Sequence, residues 1–224
     1  MNITILGATG GVGRHLVDQA LDAGHRVTVV VRRPDAVTRD VRIITTDLLA
    51  GLDQASLDAA VEEADAVLSA LGPRSKQDAR ARIVTQGTRA IIQSMKDVGA
   101  RRLVVISAVP VATVPSPARP TPPKHDLADG FLMRTVLTPI VKAAFRDTYD
   151  DLAEMEDAVR DSGLDWTIVR PPRLLNRPLS GTYRTQAQHN VPGGRAISRA
   201  DLAHYMLRAT TEPATIGEAV RISY

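Results

Sequence analysis

The stretch "ILGATGGVGRHLVDQALDAGHRVTVVVRRPD", residues 5–35, carries a strand–turn–helix–strand pattern. An apolar run ends in a glycine-rich turn, an amphipathic stretch follows, and a second apolar run stops at two arginines. Asn2–Leu6 and Arg26–Val31 are short and rich in Val and Ile, the signature of parallel strands buried on both faces. Between them Val12, Leu16, Val17, Ala20 and Leu21 recur at helical spacing, and Gly24 stands where a helix would end. The glycines of Gly7-Ala8-Thr9-Gly10-Gly11-Val12-Gly13 fall at GxxGxxG spacing. In a strand–turn–helix context each has a task. Gly7 turns the chain sharply, Gly10 lets backbone approach a pyrophosphate, and Gly13 lets the helix pack on the sheet. The free N–H groups at the helix start then face an anion.

Where the second strand ends, a binder of NAD usually carries an acidic residue for the ribose 2′-hydroxyl. This chain carries Arg32 and Arg33 instead, and an arginine fork suits a 2′-phosphate. The expectation is NADP(H) in preference to NAD(H), although Asp35 lies close by. Two later strand ends are expected along the same cleft. Asp47 and Leu48 are placed to meet the adenine, and Ala70, Leu71 and Gly72 to pass under its ribose. A helix cap and a plain turn are the competing readings of those two segments.

Downstream the alternation continues. Strands are expected at Val41–Thr46, Ala66–Ala70, Arg102–Ile106, Leu164–Arg170 and Val220–Ser223. Helices are expected at Leu57–Ala64 and Ala79–Val98, with Ile83, Ala90, Ile91 and Met95 inward, then from Pro139 to Arg160 and from the Ser198-to-Asp201 capping pattern to Ala209. The implied fold class is α/β, a Rossmann-type doubly wound parallel sheet in one domain over residues 1–224. Pattern alone leaves the strand order open. Residues 108–125, "AVPVATVPSPARPTPPKH", hold six prolines and so form neither helix nor central strand. They read as a loop or lid, with a disordered excursion as the alternative.

Composition narrows the function. A chain of 224 residues suffices for one α/β domain with a sizeable core. The net charge is only +3, and no basic tract is dense enough to make nucleic acid the main partner. The absence of cysteine excludes disulfides, thiolate metal sites and a cysteine nucleophile. The five histidines are dispersed, none at metal-ligand spacing. Met1 to Leu6 already read as core strand, and no apolar run approaches the roughly 18 residues of a membrane span. The expectation is a cytoplasmic protein, off the membrane, with a small-molecule partner. Monomer and homodimer are not distinguished.

The stretches "GATGGVG", "VTVVVRRP", "TTDL", "RRLVVISA", "DSGLDWTIVRPPRL" and "SGTYR" resemble, in order and spacing, the atypical short-chain dehydrogenase/reductases, in the branch of NmrA-like proteins and biliverdin-IXβ/flavin reductases. The resemblance covers about residues 1–107 and 150–224. It implies NADPH binding, with a small substrate lobe from about residues 171–198. It maps Gly7, Thr9, Gly10, Val12 and Arg32 onto the cofactor cleft, Ser107 near the nicotinamide, Pro171 and Pro172 beside the nicotinamide face, and Arg173 to Leu175 along the substrate.

One departure matters. Typical short-chain dehydrogenases carry Tyr-x-x-x-Lys, whose lysine lowers the tyrosine pKa. Here Tyr149 is followed at the fourth position by Ala153, Tyr183 by Ala187 and Tyr205 by Ala209. Ser107, Tyr149 and His125 are the remaining candidates for a proton donor. Hydride delivery to a flat conjugated acceptor, a flavin, quinone or related carbonyl, needs such a donor least. That is the expected reaction. A non-catalytic NADP(H) sensor and a biosynthetic ketoreductase are the alternatives.

Overall fold

The computed structural model describes residues 1–47, 53–126, 138–187 and 189–224. Leu48 lies outside them, as do Phe131, Leu132 and Met133, an apolar run that the sequence offers either as substrate-pocket lining or as core or lobe packing. Ten strands are described: β1 (Asn2–Leu6), β2 (Arg26–Val31), β3 (Arg42–Thr45), β4 (Ala66–Ser69), β5 (Arg102–Ile106), β6 (Asp165–Arg170), β7 (Arg173–Leu175), β8 (Arg184–Gln186), β9 (Ala196–Ser198) and β10 (Glu218–Ser223). The helices are α1 (Gly11–Asp22), α2 (Gln54–Val61), α3 (Lys76–Arg80), α4 (Ile83–Val98), α5 (Thr138–Ala144), α6 (Arg146–Arg160) and α7 (Arg199–Ala209).

The main sheet has the order β3-β2-β1-β4-β5-β6-β10-β8. All neighbours run parallel except β8, which pairs antiparallel with β10. Ile3 pairs with Val27 on one side and with Ala66 on the other. The order therefore reverses between β1 and β4. That is the point where an open parallel sheet leaves a crevice above its carboxyl ends.

Both faces are covered, which explains the unbroken apolar runs. On one face α1 and α7 pack Leu16, Val17, Ala20, Leu202, Ala203 and Met206 onto Ile5 and Val29. On the other, α2, α4 and α6 bring Leu57, Ile91, Met95, Met155 and Val159 onto Leu103, Val105 and Ile168. These side chains are essentially excluded from water, each Val, Leu, Ile and Met among them contributing about 1.5–3 kcal/mol of burial free energy.

Three expectations are corrected. The helix expected over Ala79–Val98 is two helices, parted at Arg82 in the left-handed region (φ 53°). The break is set from a distance: the buried Asp151 carboxylate on α6 accepts the backbone N–H groups of Val84 (3.1 Å) and Thr85 (3.0 Å), capping α4 where it starts. The inward face of α4 shifts with it, to Val84, Thr88, Ile91, Ile92 and Met95, and leaves Ile83 and Ala90 only partly buried. The helix expected from Pro139 to Arg160 is likewise two, parted at Phe145. The short strands β7, β8 and β9 had no counterpart in the sequence pattern. β7 and β9 form a separate parallel ribbon, Leu174 opposite Ile197.

The proline-rich segment is tied to its surroundings. A 3-10 turn spans Val109–Thr113, and the Val109 N–H donates to Pro171 O (3.0 Å). Further on, the Ser116 hydroxyl and the Ala118 N–H donate to the two carboxylate oxygens of Asp157 (2.9 and 3.0 Å), and Arg119 Nη2 to Val111 O (2.9 Å).

Candidate functional site

The crevice at the switch point is a cleft of about 410 Å³. Gly7, Thr9, Gly10, Gly11, Val12, Arg32, Asp47, Ala70, Leu71 and Gly72 all line it. The turn that shapes it admits no side chain at two positions. A Cβ on Gly7, whose φ is +74°, would lie 2.5 Å from Ala70 O, and one on Gly13 would lie 2.1 Å from Gly7 O. Gly13 is thus spent on seating α1 and does not itself line the cleft. Gly10, the N-cap residue of α1, has no side chain to accept the first-turn N–H groups. Those donors and the positive end of the helix dipole are left for an anion. A turn packed backbone on backbone, opening onto uncapped N–H groups, fits the pyrophosphate of a dinucleotide.

At the far end of the cleft, Arg32 is exposed, and its guanidinium makes no hydrogen bond or ion pair with any described residue. Arg33 is also exposed but lies outside the lining, as the residue before the 3-10 turn Pro34–Ala36. Two further arginines line the cleft that sequence reading did not single out. Arg74 donates from Nη2 to Thr9 Oγ1 (2.9 Å), and Arg199 arrives from the start of α7.

A larger cavity of about 600 Å³ lies next to this cleft. The two share a wall. At the end of β5, Ile106 lines the cleft and Ala108 the cavity. After β6, Pro171, Pro172 and Arg173 line the cavity and Leu174 the cleft. Most of the cavity wall is apolar, with Val109, Pro110, Val141, Phe145, Val191 and Ile222, and Arg221 and Asp126 add charge.

The proton-donor candidates fare differently. Ser107 is buried between the two cavities and lines neither. Its hydroxyl donates to Glu156 Oε1 (2.6 Å), which uses its single hydrogen. Glu156 is wholly buried on α6. Burial alone would push its carboxyl up, but the Arg170 guanidinium, Arg160 and the Ser107 hydroxyl together hold it at about 2. Arg170 Nε donates to Oε1 (2.8 Å), Arg170 Nη2 makes a short contact to Oε2, and Arg160 Nη2 donates to Oε2 (2.8 Å). Nothing in the local sequence signals this cluster.

Tyr149 lines the large cavity from α6, beside Phe145 at a ring-centroid separation of 6.2 Å. Burial pushes its phenol above the ordinary value of 10, so it is protonated at neutral pH. Its hydroxyl makes no hydrogen bond with the described residues. His125 lines neither cavity, although its neighbour Asp126 does. Among the described residues no cluster of His, Asp and Glu is arranged to hold a metal ion. No described helix is long and apolar enough to cross a membrane.

A family model described as NAD(P)H-binding matches residues 7–213, nearly the whole chain. The chain belongs to the NAD(P)H-binding family. A (4-alkanoyl-5-oxo-2,5-dihydrofuran-3-yl)methyl phosphate reductase of Streptomyces griseus is 30% identical over 180 residues, covering 80% of this chain and 50% of that protein. The chain thus spans half the length of that relative. YwnB of Bacillus subtilis is 26% identical over 95% of this chain and 93% of its own. Among solved structures, a candidate NADH-flavin reductase of Streptococcus pneumoniae superposes with a TM-score of 0.74 at 21% identity, covering 100% of this chain and 99% of that one. ChuY of Escherichia coli O157:H7, described as an anaerobillin reductase, gives 0.73 at 21%, covering 100% and 97%.

Proposed function

We propose that the protein is a cytoplasmic NADPH-dependent reductase that delivers hydride to a flat conjugated acceptor, a flavin, quinone or related carbonyl, held in the large cavity. The observation that carries this reading is the shared wall. An apolar cavity of about 600 Å³ abuts the dinucleotide cleft across the ends of β5 and β6, where a nicotinamide would lie. Reduced nicotinamide, when bound, supplies the hydride. The chain's own part is to orient the two reactants and keep water from between them. Pro171 and Pro172 serve as a stiff floor, Arg173 borders the acceptor, and Leu174 backs the same wall from the cleft side. The names of relatives run the same way, since a butenolide phosphate, an anaerobillin and a flavin are all conjugated acceptors.

Preference for NADPH rests on Arg32, a cation without a partner among the described residues, at the cleft's adenosine end. One charged hydrogen bond to a 2′-phosphate is worth about 1.5–3 kcal/mol, roughly a tenfold to hundredfold preference. Stopped-flow oxidation of NADPH against a panel of flavins, quinones and ketones tests the reading. Turnover with a flavin or quinone supports it, and no turnover with any class refutes it.

A second reading, reduction of a ketone, is favoured by one observation: the unbonded, protonated phenol of Tyr149 in the cavity wall. In that reaction Tyr149 gives its proton to the nascent alkoxide. Loss of ketone reduction in Tyr149→Phe, with flavin reduction retained, would single it out.

A further inference from the structure

Gly11 opens α1, and the space its missing side chain leaves is filled from far along the chain. A Cβ there would lie 2.7 Å from Arg199 Nε and 2.8 Å from Arg199 Cδ. The Arg199 side chain therefore lies across the N-terminus of α1, in the cleft beside Gly7, Gly10 and Gly11. It is held there from the other side, since Nη1 donates to Asn176 Oδ1 (2.6 Å), just beyond β7. Gln19 on α1 also donates to Ala200 O (2.9 Å), which fixes the start of α7 against α1.

That one hydrogen bond leaves most of the guanidinium's five N–H donors free. No described carboxylate lies within ion-pairing distance of it. Of the acids lining the cleft, Asp78 accepts the Arg74 N–H (2.9 Å), and Asp47 has a partner of its own. The turn Gly7–Gly13 carries no basic side chain. A helix N-terminus offers only about half a positive charge, whereas a pyrophosphate brings two negative ones.

We infer that Arg199 is the charge partner of the dinucleotide's pyrophosphate, with Asn176 as its positioning residue. This rests on the reading of the cleft as the dinucleotide site. The consequence is that cofactor affinity depends on the segment from β7 to α7, which also borders the large cavity through Arg173.

Calorimetric titration of the whole protein tests this with four probes: NADPH, NADH, ADP-ribose and adenosine 2′-monophosphate. ADP-ribose keeps the pyrophosphate without nicotinamide, and adenosine 2′-monophosphate lacks the pyrophosphate. Arg199→Gln, which keeps a side chain over Gly11, should weaken the first three about tenfold or more and leave the fourth unchanged. Arg199→Lys should restore part of the loss. Asn176→Ala should weaken the same three probes, and in the Arg199→Gln background should add nothing, because it acts through the arginine. Unchanged ADP-ribose affinity in Arg199→Gln would overturn the assignment, as would equal loss of all four probes, which marks a collapsed cleft. Should the wild type bind neither dinucleotide, the reading of the cleft itself falls and takes this one with it. Should the wild type bind both while Arg199→Gln is silent, only the role of Arg199 falls.

Discussion

Replacing Glu156 with glutamine tests the buried cluster that ties α6 to the ends of β5 and β6. The carboxylate accepts from Ser107, Arg160 and Arg170, and both Glu156 and Arg170 are sealed from water. Removing one partner of a buried ion pair typically costs about 3–5 kcal/mol, because the other charge is stranded. A second route reaches a similar figure. The carboxyl titrates at about 2 in the fold against an ordinary 4.5, and that difference is worth about 3 kcal/mol. Since the folded value is the lower one, this stability is complete above about pH 4.5 and fades as pH falls toward 2, about 2 kcal/mol of it being gone by pH 3. Equilibrium urea unfolding should therefore place Glu156→Gln about 3–4 kcal/mol below wild type at pH 7, with the gap narrowing steadily below pH 4.5. A gap under about 1 kcal/mol at neutral pH, or one independent of pH down to 3, would rule out a stabilising charge on Glu156.

Three further outcomes are expected. Gly13→Ala drives a Cβ to 2.1 Å from the backbone oxygen of Gly7; an overpacking cost of about 1–3 kcal/mol or more outweighs the roughly 1 kcal/mol gained in helix propensity, so urea unfolding should show net destabilisation and titration a loss of NADPH affinity. Arg32→Ala should weaken NADPH about tenfold to hundredfold while sparing NADH, and equal losses in fluorescence titration would remove its 2′-phosphate role. Tyr149→Phe should leave flavin or quinone reduction within about twofold, since no proton from the protein is needed in that step; a fall of a hundredfold in kcat would show that the phenol takes part.

The first half of the fold was legible because its signals are local. A strand buried on both faces is a contiguous apolar run, and Gly7 and Gly13 stand where backbone leaves no room for a Cβ. What escaped reading is carried by distant contacts. Asp151 breaks the expected long helix by capping α4 from 67 residues away, and no local pattern near Arg82 announces it. β7, β8 and β9 are three residues each, too short for alternation to show, and β7 and β8 are exposed or half-exposed throughout. The site divides in the same way. The glycine-rich turn and Arg32 could be named from their spacing to a strand, whereas Ser107 looked available until Glu156, 49 residues on, proved to hold its hydrogen. Arg199 was visible only as part of a capping pattern, and its reach over Gly11 depends on α7 packing against α1.

The position of β10 has a consequence for how the two halves of the site come into being. Synthesis delivers the glycine-rich turn, Arg32 and the ends of β1 and β4 within the first third of the chain, well before the parts that wall the large cavity. Arg221, Ile222 and Ser223 belong to β10, and that strand must slot between β6 and β8 before the cavity has a back wall. The glycine-rich turn and the strand ends beside it are thus made while the larger cavity is still open on the β10 side.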